Sequence, residues 1–210
     1  MSKYKEIDLQ KIKTYPIDQR LSKININAFA KKGKVIVSEF LNCLPDILAA
    51  KDLKELILAS KKARENHKPI IIGLGAHIIK CGLVPLLIEM MEEDFVSAFV
   101  CNGAVAIHDY EIASFGKTSE DVSSALSDGS FGMAEETVKG INEAINKGFK
   151  ESLGLGEAIG KELYTKAKYK DLSLLASAYK WEIPVCVQVA IGTDIIHQSP
   201  YAEGKAIGDC

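Results

Sequence analysis

The stretch PIIIGLGAH, residues 69–77, decides the fold class of this chain. It is a short continuous apolar run that opens after a proline and closes in two glycines. Such a run is typical of a β-strand that is buried on both faces of a parallel sheet. Two more stretches share this character, FVSAFVCNG at residues 95–103 and IPVCVQVAIGT at residues 183–193. The chain therefore has three strong candidates for buried strands.

Segments with apolar residues at helical spacing separate these strands. We expect helices at residues 35–50, 52–66, 78–93, 105–114, 134–146, 155–166 and 172–180, the fifth of them stopped by Gly148, and no closing helix at the C-terminus. Residues 116–132 are predicted to be a loop with one helical turn at 122–126. Strands that alternate with helices form right-handed crossovers. The sequence therefore predicts an α/β fold, a mostly parallel Rossmann-like sheet with helices on both faces.

Length and composition indicate one globular domain. The chain has 210 residues, of which 47% are hydrophobic and 26% charged, and this balance favours a packed core over disorder. Residues 1–34 are polar and irregular, so we expect an N-terminal arm there. Residues 35–210 then form a single α/β domain.

Charge and hydropathy exclude several classes of partner. The formal net charge of −2 gives no general attraction to nucleic acid. The charged N-terminus has no signal-peptide core, and the longest apolar run, residues 70–79, is too short to span a bilayer. The five cysteines form no CxxC pair, which indicates neither a zinc knuckle nor a disulfide scaffold. We therefore expect a cytoplasmic protein without nucleic-acid or membrane partners.

The strand ends locate the candidate site, because ligands of parallel α/β sheets bind beyond the carboxyl ends of the strands. That rule selects three loops, at residues 73–77, 101–109 and 192–197. They contain three of the four histidines, and the titratable groups are His77, His108, Asp109, Asp194 and His197. Buried ionisable groups are costly unless they are used or paired. The alternative, that each histidine caps a helix or bonds a loop carbonyl, stays open.

The first loop has features of a nucleotide site. Gly73 and Gly75 let a phosphate approach the backbone, and the helix that follows offers free N–H groups. The full GxGxxG pattern would need glycine at position 78, where Ile78 stands. Asn102 ends the second strand in place of the carboxylate that binds ribose in standard Rossmann dehydrogenases. Residues 35–210 are thus predicted to bind a nucleotide, although not as a standard dehydrogenase.

Metal chemistry is the competing interpretation of the same loops. His77, His108, Asp194 and His197 could supply nitrogen and oxygen ligands. Their separations are large, and the sequence contains no compact HExxH pair. Serine hydrolysis is disfavoured because no GxSxG elbow is present.

The loops carry a family resemblance. The stretch GAHIIKCGLVPLLIEMMEEDFVSAFVCNGAVAIHDYEIAS, residues 75–114, resembles the first nucleotide-binding unit of deoxyhypusine synthase and its relatives. The segment IPVCVQVAIGTDIIHQSP, residues 183–200, is similar to that family's strand ending in Thr-Asp. The resemblance covers roughly residues 65–210. It implies an NAD-binding Rossmann-like fold, assembled as a homotetramer with cofactor sites at subunit interfaces.

The resemblance transfers to individual residues only in part. Its implied cofactor-binding positions, together with the preceding Gly73, are Gly75, Ala76, His77, Asn102, Gly103, Ala104, Thr193 and Asp194. His108 and Asp109 stand where the family has adjacent acidic residues. Nothing after Trp181 matches the family's catalytic-lysine segment, so the resemblance does not support aminobutyl transfer.

The sequence alone leaves three functions open. The first is an NAD-linked enzyme acting on an amine or another small polar substrate, with His108, Asp109 and Asp194 as catalytic residues. Asp194 would then bind the nicotinamide or the amine. We expect His108 to lie near the start of its helix, where the helix dipole and Asp109 act oppositely and leave its pKa near neutrality. The others are a metal-dependent enzyme using His77, His108 and His197, and a non-catalytic nucleotide-binding subunit.

Overall fold

The structure is a computed structural model that describes residues 8–29, 41, 44 and 48–210. The predicted helix at 35–50 lies largely outside these residues. The strands are β1 (Ser22–Asn25), β2 (Ile71–Leu74), β3 (Ala98–Asn102), β4 (Lys117–Glu120) and β5 (Val185–Gln188). The α-helices are α1 (Leu48–Glu65), α2 (His77–Lys80), α3 (Val84–Glu92), α4 (Gly103–Phe115), α5 (Val122–Leu126), α6 (Glu135–Glu151), α7 (Leu155–Lys166), α8 (Leu174–Lys180) and α9 (Gly204–Asp209).

The three apolar runs form one parallel sheet in the order β2-β3-β5. Gly73 pairs with Val100 in the first ladder, and Cys101 pairs with Val187 in the second. The predicted α/β fold with a parallel sheet is confirmed. Because all three strands run in the same direction, their carboxyl ends meet at one edge.

The described helices cover one face of this sheet. Phe99 is fully buried and Cys101 is 4% exposed, whereas Ile71 and Val100 on alternate positions are 61% and 39% exposed. Side chains alternate between the faces of a strand, so this pattern marks one core face and one open face. The prediction of helices on both faces is thus corrected for the described part of the chain. Ile71 and Val100 are apolar residues within apolar runs, so their exposure was not predictable from the residue pattern.

Two glycines changed the predicted helix boundaries. The expected helix at 78–93 is divided into α2 and α3, because Gly82 adopts a left-handed φ of 72° with the Phe29 backbone against it. Helix α6 passes through Gly148, the predicted stop. A Cβ on Gly148 would lie 2.3 Å from the Ala158 Cβ. That glycine therefore lets α6 and α7 pack closely instead of ending a helix.

The polar N-terminal segment packs on the body of the protein. Strand β1 pairs antiparallel with β4, a strand inside the predicted loop at 116–132. The described residues 8–29 are therefore not a detached arm, while the proposed boundary at residue 34 lies outside the described residues. At the other end, α9 is a closing helix that was not predicted. Its Ala206 is fully buried in the core, so packing stabilises this short helix.

No helix within the described ranges combines the length and the apolar character needed to cross a membrane.

Candidate functional site

A cavity of about 280 Å³ lies at the carboxyl edge of the sheet. Five of the predicted site residues line it, namely Asn102, Ala104, His108, Thr193 and Asp194. The lining also includes Arg20, Lys80, Glu111 and Glu120, which the sequence analysis did not select. The cavity therefore joins the loops after β3 and β5 to the N-terminal segment and to β4.

Asp194 lies against the first residue of α4. A Cβ on Gly103 would lie 2.1 Å from the Asp194 Oδ2, so only glycine fits there. The same Oδ2 accepts a hydrogen bond of 2.9 Å from the Ala190 backbone N–H. A carboxylate at the start of a helix is stabilised by the positive end of the helix dipole. Gly103 is thus a packing partner of Asp194.

Asn102 caps α4. Its side-chain oxygen accepts a hydrogen bond of 3.2 Å from the Val105 backbone N–H, the usual arrangement of an N-cap. Its amide NH₂ remains a donor at the cavity wall. Asn102 therefore both starts the helix and offers a hydrogen-bond donor.

His108 lies in the second turn of α4, with its Nδ1 2.6 Å from the Thr118 Oγ1. Burial lowers the pKa of His108 to about 4, with Lys80 and Arg20 acting in the same direction and Glu111 against them. The expectation of a pKa near neutrality is therefore wrong. The reason is that α4 starts five residues before His108, so solvent exclusion dominates instead of the helix end.

Glu111 is the centre of a buried network that the sequence analysis missed. Its carboxylate forms a two-pronged ion pair with Arg20, at 2.7 and 2.9 Å, and accepts hydrogen bonds from Thr118 and Thr137. Glu111 is 2% exposed. The sequence could have pointed to Glu111, because it stands three residues after His108 and both fall on one face of the helix. Arg20 is 91 residues away in sequence and has no such signal.

Asp109 lies apart from the cavity. It is fully buried, and its carboxylate accepts hydrogen bonds from the backbone N–H groups of Leu174 and Leu175 and from the Ser173 hydroxyl. Burial raises its pKa to about 6, against the effect of these hydrogen bonds. The carboxylate holds the start of α8. The prediction of a catalytic Asp109 is therefore not supported by its position.

The histidines do not converge on a metal site. His197 lies in a 3₁₀ turn, Ile195–His197, and neither of its buried ring nitrogens has a hydrogen-bond partner among the described residues. Within those residues, no three His, Cys, Asp or Glu side chains are grouped to hold a metal ion. His77, His108 and His197, which all lie among the described residues, therefore do not form the predicted metal site.

The loop after β2 is open to solvent, but only a short helix follows it. A Cβ on Gly73 or Gly75 would meet no atom within 4 Å, so the backbone there is approachable. Ala76 precedes α2, which has a single turn, His77–Lys80. This one turn gives a weak dipole, in contrast to the long helix that the sequence predicted.

Comparisons with known proteins show a likeness of fold. No family model matches the chain, and no curated protein is similar to it in sequence. A solved protein assigned as a deoxyhypusine synthase from Entamoeba histolytica matches with a TM-score of 0.51 at 15% identity, over 94% of this chain and 68% of that one. The predicted relationship to deoxyhypusine synthase is therefore shown as a distant relationship of fold.

Two further solved structures match with lower TM-scores. One is an arginine dihydrolase from the ornithine–ammonia cycle in cyanobacteria, with a TM-score of 0.46 at 18% identity over 78% of this chain. The other is an LOR/SDH protein from Methanococcus maripaludis S2, with a TM-score of 0.45 at 20% identity over 85% of this chain. The matched part is 22% of the first structure and 51% of the second, so the chain spans only part of their length.

Proposed function

We propose that this chain is a deoxyhypusine synthase-like, NAD-linked enzyme that acts on an amine or another small polar substrate. The observation that carries the proposal is the cavity that Asn102, His108 and Asp194 share at the carboxyl edge of the sheet. Ligands of parallel α/β sheets bind at this edge. The fold shared with a deoxyhypusine synthase supports NAD as the first cofactor to test.

Asp194 is suited to bind a cationic amine. Its Oδ2 is engaged by the Ala190 N–H, while its Oδ1 has no hydrogen bond within the described residues. An ammonium group at Oδ1 would form a charge-assisted hydrogen bond, which is stronger than a neutral one. Asp194 is 8% exposed, so solvent would screen this contact only weakly.

His108 is suited to accept a hydrogen bond from the same substrate. A pKa of about 4 keeps the imidazole neutral at neutral pH, with one ring nitrogen free to accept. In this role the neutral imidazole of His108 orients the substrate by accepting a hydrogen bond from it. Asp194 and His108 would thus act together, Asp194 as the anionic partner of the amine and His108 as a neutral acceptor.

The residues present fit part of a dinucleotide. A cavity of about 280 Å³ is near the lower limit for ligand sites and suits a nicotinamide-sized group more than the whole dinucleotide. Asn102 and Thr193 offer neutral hydrogen-bonding groups, and the open backbone at Gly75 permits close approach. When bound, NAD supplies a hydride acceptor. Asp194 would face the cationic oxidised nicotinamide or the amine.

The phosphates would be held by side chains more than by helix ends. Helix α2 is a single turn, and the start of α4 already faces the Asp194 carboxylate. Lys80 lines the cavity, and His77 is exposed at the other end of α2. Both side chains can donate a hydrogen bond to a phosphate. We therefore assign the phosphate contacts to Lys80 and His77.

We also propose a homo-oligomer, most simply a tetramer. The open face of the sheet and helix α1 support it, since Ile71, Leu56 and Leu58 are 61%, 64% and 63% exposed. Burial of such apolar side chains favours association between protein chains. Light scattering at micromolar concentration should give a multiple of the 22.9 kDa chain mass. A monomer mass would end this part of the proposal.

Calorimetry tests the cofactor assignment. The full chain is titrated with NAD, with ADP-ribose and with nicotinamide, and the melting temperature is recorded with each. A ligand that binds the native state stabilises it by mass action, so NAD should give both heat and a thermal shift. The absence of both heat and a thermal shift at millimolar NAD would refute the proposal. Heat with ADP-ribose but no gain from nicotinamide would contradict the contact of Asp194 with the nicotinamide.

A further inference from the structure

Chemistry fixes the hydrogen-bond directions around Glu111. Its Oε1 accepts from the Arg20 Nη1 at 2.7 Å and from the Thr137 Oγ1 at 3.0 Å. Its Oε2 accepts from the Arg20 Nη2 at 2.9 Å and contacts the Thr118 Oγ1. A carboxylate paired with a guanidinium is ionised and has acceptors only. The Thr118 hydroxyl must therefore donate its proton to Glu111.

This direction determines the tautomer of His108. A threonine hydroxyl has one proton, and that proton is directed at Glu111. The contact of 2.6 Å between Thr118 Oγ1 and His108 Nδ1 is then a hydrogen bond in which Nδ1–H donates. A neutral imidazole has a single N–H, so Nε2 carries the lone pair.

The free nitrogen belongs to the cavity wall. His108 lines the same cavity as Asp194, and its side chain is 17% exposed. None of the hydrogen bonds among the described residues uses its Nε2. The cavity lining therefore includes a neutral acceptor in the His108 Nε2 as well as the anionic acceptor in Asp194.

We infer that Glu111 and Thr118 are positioning residues that hold His108 in the Nδ1–H tautomer, so that the cavity selects ligands that present N–H donors. A primary ammonium compound can donate to Asp194 and to the His108 Nε2. A carboxylate of the same size can donate to neither and would be left to pair with a cationic lining residue such as Lys80. The ligand preference rests on the proposed function, in that it needs a ligand in this cavity, whereas the tautomer does not.

Burial, together with the nearby cationic side chains, keeps the ring neutral. Burial opposes protonation of His108, and Lys80, Arg20 and His77 act in the same direction, while Glu111 opposes them. The pKa of Arg20 shows how firmly the pair is held, since burial lowers it but the hydrogen bonds and charge of Glu111 raise it overall. The lone pair on Nε2 is thus present at neutral pH.

The tautomer is measured in the ligand-free full chain by ¹⁵N NMR of the imidazole nitrogens. We expect a protonated Nδ1 and an unprotonated Nε2 for His108. Thr118→Val should lose this preference, and Thr118→Ser should keep it. Thr137→Val is the matched control, because Thr137 is equally buried and donates to the same carboxylate without touching His108. A protonated Nε2 in the wild type, or an unchanged tautomer in Thr118→Val, would overturn the inference.

Ligand preference is measured with n-butylammonium and n-butyrate as probes of equal chain length. The wild type should bind butylammonium more tightly than butyrate, and Thr118→Val should weaken butylammonium binding about fivefold or more, the effect of one neutral hydrogen bond. Thr118→Ser and Thr137→Val should bind like the wild type. Butyrate binding as tight as that of butylammonium, or no binding of either probe, would overturn the preference. A correct tautomer together with no response to NAD would refute only the cofactor proposal.

Discussion

Arg20 and Glu111 form a two-pronged ion pair in the interior, which ties the N-terminal segment to helix α4. Their side chains are 6% and 2% exposed. The pair closes one side of the cavity, and Thr118 connects it to His108. The N-terminal residues therefore build the candidate site together with the parallel sheet.

Loss of Arg20 should strongly destabilise the protein. Arg20→Met leaves the Glu111 carboxylate buried without its cation, which costs about 3–5 kcal/mol of the free energy of unfolding. Urea denaturation measures the change. Lys147→Ala removes a cation that is 52% exposed in its pair with Glu162 and serves as the control; no measurable change is expected there. Equal effects of the two substitutions would contradict a buried, stabilising pair.

Gly103→Ala should displace Asp194. The new Cβ would lie 2.1 Å from Oδ2, so the carboxylate must move, at a cost of about 1–3 kcal/mol for overpacking. A lower melting temperature and weaker amine binding are expected together. An unchanged melting temperature with unchanged amine affinity would show that the contact has no role.

Gly75→Ala separates ligand approach from packing. A Cβ there meets no protein atom within 4 Å, so the melting temperature should stay constant. If NAD approaches this backbone, the same Cβ overpacks the complex and weakens NAD binding about tenfold or more. Calorimetry on the wild type and the variant decides the question. Unaltered NAD affinity would remove Gly75 from the cofactor site.

Asp194→Asn should selectively weaken amine binding. Asparagine keeps an oxygen for the Ala190 N–H but removes the negative charge. Loss of a charge-assisted hydrogen bond of about 1.5–3 kcal/mol corresponds to about a tenfold to hundredfold fall in affinity for butylammonium. Asp171→Asn, at an exposed carboxylate, is the control. If both variants bind the amine like the wild type, Asp194 is not its site.

His108 should make stability depend on pH. Its pKa falls from 6.5 in the unfolded chain to about 4 in the native state. Between these values the unfolded chain binds the extra proton, so the free energy of unfolding decreases as the pH falls. From about pH 7 to about pH 4.5 this amounts to about 2 kcal/mol.

The measurement is urea denaturation across that pH range. His108→Gln should lack this contribution and therefore lose about 2 kcal/mol less than the wild type on acidification. His77→Gln, at an exposed imidazole near the same edge, is the matched control for the substitution itself. A wild-type slope that His108→Gln leaves unaltered would show that His108 titrates alike in both states.

The sequence by itself determined the parallel sheet and the edge at which the cavity of the candidate site lies. Each strand is a local apolar run, and the carboxyl ends of parallel strands must meet, so neither result depended on distant contacts. Helix α7 was predicted at its observed bounds for the same local reason.

Only the tertiary structure decided which side chains share the cavity. His108 and Asp109 are adjacent in sequence but project about 100° apart on α4, so one lines the cavity and the other holds α8. Arg20 reaches Glu111 across 91 residues because β1 pairs with β4, a contact that no local pattern encodes. Burial likewise follows from packing. The low pKa of His108 and the open face of the sheet at Ile71 are therefore properties of the assembled fold.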